Sequence, residues 1–264
     1  MPDFGSFKGA KMSDISVEGL RTSGAPFRVG DALSKTFQVF GGSLGSFLLL
    51  AFVPLIPVLV VNLMTPSVTA LAVGPAAQRA AMLTGVSSLL SVILGIVAQA
   101  MTLYAAFQQM AGRPFSIAQS LGVGFTRLVP VFCVALLGAL FTGVAAILLV
   151  VPGIIVFCML YVAVPVCVIE KPGIFASLDR SAKLTKGSRW QIFGLLALVS
   201  IVSVVAQIIL KVFVGVFTIW GKLLNFGWLV IATSFGAVLV AVVYHDLRMS
   251  KEGMDTDNLA DVFD

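Results

Sequence analysis

A chain of 264 residues that is 59% hydrophobic and 11% charged, with mean hydropathy +1.06, lacks the polar residues a soluble domain needs to cover its core. A formal charge of +5 would suit nucleic acid, but the cations are spread over short connections and not gathered on one soluble face, so no nucleic-acid partner is expected. Cys133, Cys158 and Cys167 lie in apolar runs with no CxxC spacing, and His245 is the single histidine, which excludes a disulfide framework and a zinc site of the usual pattern.

Residues 1–26 are Gly/Ser-rich with mixed charge and read as a mobile cytoplasmic N-terminus, with Met12 as an alternative start to Met1. The first apolar run begins too deep for the core of a cleavable signal. From Phe27 a weakly amphipathic helix leads into a first span at about 46–64, and a second follows at about 84–107. Between Arg127 and Glu170 lie 42 consecutive uncharged residues, too many for one crossing and right for two. Val151-Pro152-Gly153 interrupts this run, so Pro152 and Gly153 mark a hairpin turn between spans at about 128–149 and 153–169. The last pair falls at about 190–210 and 224–244, and residues 249–264 form an acidic cytoplasmic tail. Residues 27–248 are therefore read as one all-α transmembrane domain of six helices.

With the N-terminus inside, the cytoplasmic segments hold five, two, five and two Lys or Arg, against one, none and two in the outer connections. That asymmetry places both termini in the cytoplasm. Trp190 then falls at the inner interface and Trp220 and Trp228 near the outer one, where amphipathic rings prefer to sit.

Three stretches, beginning at Phe27, Phe115 and Pro172, share a leucine six residues on (Leu33, Leu121, Leu178) and run through an amphipathic helix into a span and its return. This describes three parallel units, each an interfacial helix plus a transmembrane hairpin. In the third, Ile174, Phe175, Leu178 and Ala182 share one face, expected among acyl chains. Lys171, Arg180, Lys183, Lys186 and Arg189 are candidate contacts for anionic lipid, each adding about 1 kcal/mol of attraction near an anionic surface. The plainer reading of the same five cations is a topology signal alone.

No ionisable residue lies within a span, so coupled ion transport has no visible carrier. Gln99 and Gln207 are expected to hydrogen-bond between helices, and Ser87, Ser91 and Gly95 to form a packing face of small residues. Glu170 with Lys171, and Asp246 with Arg248, read as interfacial charge pairs. No catalytic, cofactor-binding or metal-ligating constellation is found, and the chain is read as not an enzyme.

"VPGIIVFCMLYVAVPVCVIE", "ASLDRSAKLTKGSRWQIFGLL" and the closing "YHDLR" resemble the bacterial integral-membrane family called the glycerophosphodiester phosphodiesterase membrane domain. The likeness runs from Phe27 to Arg248 and is strongest at Pro152-Gly153, Pro165, Glu170, Ser181, Leu184-Thr185-Lys186-Gly187 and Tyr244. It implies a multi-pass helical protein of a bacterial inner membrane. It does not imply phosphodiesterase activity, which in that family belongs to a separate soluble barrel of about 250 residues. The expected function is a non-enzymatic scaffold or accessory component that binds anionic lipid or partner proteins at the cytoplasmic face, in envelope lipid homeostasis. No cofactor is expected, and its partners would be membrane lipids and membrane proteins or a second copy of the chain. The alternative is a transporter or channel for a small or lipidic substrate.

Overall fold

The computed structural model describes residues 27–65, 74–111, 120, 122, 126–214 and 219–260. Among them the chain forms α1 (Val29–Gly42), α2 (Leu44–Met64), α3 (Pro75–Met110), α4 (Leu128–Leu148), α5 (Val150–Leu160), α6 (Ala163–Ile169), α7 (Ile174–Leu184), α8 (Arg189–Val214) and α9 (Ile219–Ala260), with no strand. Six segments are long and apolar enough to cross a membrane: Leu44–Met64, Ala77–Met110, Leu128–Leu148, Val150–Ile169, Arg189–Val212 and Ile219–Glu252. They follow the order read from hydropathy. The second and sixth are longer than expected, because hydropathy marks where apolar residues stop and helical backbone continues past that point. The N-terminal segment 1–26 and most of the amphipathic stretch from Phe115 lie outside the described residues.

α9 is the axis of the bundle. From Ala237 to Tyr244 every residue is exposed by 4% or less, so this stretch is apolar all round because protein surrounds it. At one level Phe47, Met101, Val134, Cys167 and Val238 share a core; towards the opposite end Leu55, Ala98 and Val230 form another. Asn62 donates to Ser87 Oγ at 3.0 Å, joining α2 to α3. Among the described residues Gln99 and Gln207, expected in such bonds, make none; Asn62 does so because Ser87 is buried directly opposite.

α1 and α7 both pack on the bundle. α1 follows α9, with Lys35 on Asp246 at 2.9 Å and Phe40 edge-on to Phe235 at 5.6 Å. In α7 the buried face is Ser177, Leu178, Ser181 and Leu184, packed on α4, α5 and α6, while Phe175 is 72% exposed. Ser181 turns to protein because a carbonyl awaits it there, whereas the buried Ser177 donates its hydroxyl back to the Gly173 carbonyl at 2.6 Å. The Pro165 ring has no N–H and crowds the carbonyl one turn back, and the helix is interrupted between α5 and α6. Met159 O then accepts from Ser181 Oγ at 2.8 Å and lies 3.3 Å from Thr185 Oγ1.

The reversal of the central hairpin is also displaced from its expected place. Leu149 alone is extended (φ −158°, ψ 140°), and Pro152 and Gly153 fall in the opening turn of α5. Proline is tolerated there because that position has no intrahelical acceptor for an N–H. Gly153 serves a close approach: a Cβ on it would stand 2.7 Å from Ala146 Cα. The acidic segment after residue 248 begins as helix, since α9 continues to Ala260.

Candidate functional site: ion pairs and a groove at the Glu170 end

Four helices bring their charged residues together where α6 ends. Tyr244, on α9, donates its hydroxyl to Glu170 Oε1 at 2.7 Å. Arg180, on α7, donates through Nε to Glu170 Oε2 at 3.1 Å and through Nη2 to Glu252. Arg248 donates to the other Glu252 oxygen at 2.6 Å. The result is an alternating chain, Tyr244–Glu170–Arg180–Glu252–Arg248, in which each carboxylate has a cation. Burial alone would lower the Arg180 pKa, but its bonds to Glu170 and Glu252 outweigh that and raise it. Beside this chain, Asp246 accepts from Lys35 and lies 3.6 Å from His245 Nδ1.

These pairings replace the expected ones. Asp246 and Arg248 are two residues apart on a helix and do not face each other, whereas Arg248 and Glu252, four apart, do. Lys171 turns away from Glu170 as the chain leaves α6 with φ +57°, its N–H reaching back to the Val166 carbonyl. Glu170, Asp246 and His245 are titratable side chains next to the ends of apolar segments. They divide between two ion-paired groups and do not converge on one reacting position. Among the described residues no three metal-ligating side chains come together.

The five cations considered for lipid contact also divide. Arg180 is committed to Glu170 and Glu252, and Lys183 to Asp179 at 2.7 Å. Lys171 and Lys186 are exposed and have no acidic partner. Arg189 is half-buried, and its Nε is shielded from solvent without a hydrogen-bond partner. It lines a groove of about 160 Å³ between α5 and α8, with Ile154, Ile155 and Cys158 on one wall and Trp190 and Phe193 on the other. Positions 154, 155 and 158 and positions 189, 190 and 193 carry the same spacing, which presents one stripe of each helix to the other. The guanidinium is thus set at an apolar slot.

Of the packing residues, Ser87 is buried and faces α2, while Ser91 Oγ donates back to the Ser87 carbonyl at 2.7 Å. A Cβ on Gly95 would meet nothing within 4 Å. At the opposite end of the bundle Lys222 Nζ donates to the Thr65 carbonyl at 2.6 Å, where α2 runs out of intrahelical donors. No family model, curated protein or solved structure matches the chain.

Proposed function

We propose that this multi-pass membrane protein is a non-enzymatic scaffold or accessory component that binds anionic lipid at its cytoplasmic face. Its setting is the inner membrane of a bacterium, in envelope lipid homeostasis, as the resemblance to the membrane domain named above implies. The observation that carries the reading is Arg189, an unpartnered cation at an apolar groove, with the exposed Lys186 three residues away and Trp190 beside it. A phospholipid has the matching chemistry: an anionic phosphate for the guanidinium and an acyl chain for the apolar walls. The commitment of Glu170, Asp246 and Glu252 to cations supports a structural role for the carboxylates and not an acid–base one.

Native mass spectrometry of the protein extracted with its surrounding lipid tests this. Anionic lipid should be enriched over the bulk membrane, and Arg189→Ala with Lys186→Ala should remove that enrichment while Lys183→Ala leaves it. Bound lipid of bulk composition, indifferent to all three substitutions, would refute the reading.

A further inference from the structure

Two lengths along the bundle set the central hairpin apart from its neighbours. The first starts where α8 starts. Met159 accepts from Ser181 in the segment just before α8, and Arg189 shares its groove with Ile154, Ile155 and Cys158. The beginning of α8 is therefore level with the middle of α5. From Cys158 to the reversal at Leu149 is about 14 Å of helix, whereas from Arg189 to Lys211 is about 33 Å. The second length starts at Tyr244, which meets Glu170 through its hydroxyl and Phe107 edge-on at 5.5 Å. From Phe107 to Arg79 is about 42 Å along α3, but from Glu170 to Leu149 at most about 31 Å, because the helix is interrupted on the way.

By either measure the hairpin stops roughly 10–20 Å short of the level of Arg79 and Lys211. Its tip also has the wrong chemistry for a water-facing turn. Ile147, Leu148, Leu149, Val150 and Val151 are 87, 75, 67, 70 and 59% exposed, with no polar side chain among them. The far ends of α3, α8 and α9 carry Arg79, Lys211 and Lys222 instead.

We propose that the hairpin of α4 with α5 and α6 is re-entrant. It enters the membrane from the side that holds Glu170, turns within the hydrocarbon at Leu149 and returns, its tip covered by acyl chains. With Arg189 held at the interface, as the cost of burying a charge in lipid requires, Leu149 lies near the middle of a hydrocarbon core of about 30 Å. Backbone in lipid needs internal partners, and of the five positions 149–153 this turn leaves only the Val150 and Val151 N–H groups without a backbone acceptor. Leu149 N–H donates to the Ala145 carbonyl, Gly153 N–H to the Leu149 carbonyl, and Pro152 has no N–H at all. Both chain ends stay on one side whether the hairpin crosses or turns back, so the distribution of cations among the loops is the same in either case.

Labelling decides it. In a variant with Cys133, Cys158 and Cys167 changed to Ala, single cysteines are placed at Leu149, Gln78 and Lys186. A membrane-impermeant maleimide should modify Gln78→Cys from one face and Lys186→Cys from the other, and Leu149→Cys from neither until detergent is added. A bimane at Leu149→Cys should be quenched several-fold more by lipid brominated at mid-chain than one at Gln78→Cys. Modification of Leu149→Cys from the Gln78 face overturns the proposal. So does quenching no greater than at Gln78, the result expected if a second copy of the chain covers the tip. Leu149→Lys in the otherwise unaltered chain needs no cysteine removal. It should lower the folded yield several-fold where Gln78→Lys does not, and equal yields overturn the proposal as well.

Discussion

Tyr244 donates its hydroxyl to Glu170 at 2.7 Å across 74 positions of sequence, tying the central helix of the bundle to the end of the fourth apolar segment. A hydrogen bond to a charged group contributes about 1.5–3 kcal/mol, towards the lower end where the carboxylate is partly exposed. Tyr244→Phe should therefore lower the thermal midpoint by a few degrees. In a double-mutant cycle with Glu170→Ala the two losses should not add, since the Tyr244–Glu170 bond is lost in each single variant. Additive losses would show that the hydroxyl and carboxylate are not coupled.

Arg180 and Arg189 lie nine residues apart and should respond oppositely. Arg180→Ala leaves Glu170 and Glu252 without a shared cation; with a third of that side chain exposed, about 1–2 kcal/mol of stability is at stake. Arg189→Ala removes a guanidinium whose Nε has no hydrogen-bond partner among the described residues, so stability should hold while anionic lipid is lost. Thermal unfolding and lipid analysis on the same two preparations separate these effects.

The Met159 carbonyl has two hydroxyls beside it. Ser181→Ala or Thr185→Ala alone should be mild, as the remaining hydroxyl can take over. The double substitution strands a partly buried acceptor and should cost about 1–2 kcal/mol. A double mutant no less stable than the singles would mean that neither hydroxyl serves that carbonyl.

Two glycines offer a controlled comparison. Gly153→Ala drives a Cβ to within 2.7 Å of Ala146 backbone, and overpacking of this kind costs about 1–3 kcal/mol. Gly95→Ala meets open space and should be neutral or gain up to about 1 kcal/mol from helix propensity. Unfolding of the two variants side by side checks both, and equal effects would contradict the geometry.

The six apolar segments were legible in sequence because lipid imposes its thickness on hydropathy, and 42 uncharged residues between Arg127 and Glu170 leave few alternatives to a hairpin. The partners of individual charges were not. Periodicity shows that Asp246 and Arg248 cannot face each other, yet nothing local connects Lys35 to Asp246 or Arg180 to Glu252. The face of α7 misled for a similar reason. Its leucine and isoleucine predict a buried stripe, but Ser181 joins that stripe because the break between α5 and α6 leaves the Met159 carbonyl to accept from it, and Ser177 because its hydroxyl is satisfied by Gly173. Arg189 was visible as a cation, but its setting at a slot depends on α5, some thirty positions earlier.

Glu252 stands beyond the apolar part of α9 and grips Arg180 while Arg248 grips it from the preceding turn. Through that clasp the last helix and α7 are harnessed together, and α7 in turn holds Met159. A pull on α9 at Glu252 accordingly loads α5 at Met159, as a lever does, without touching it.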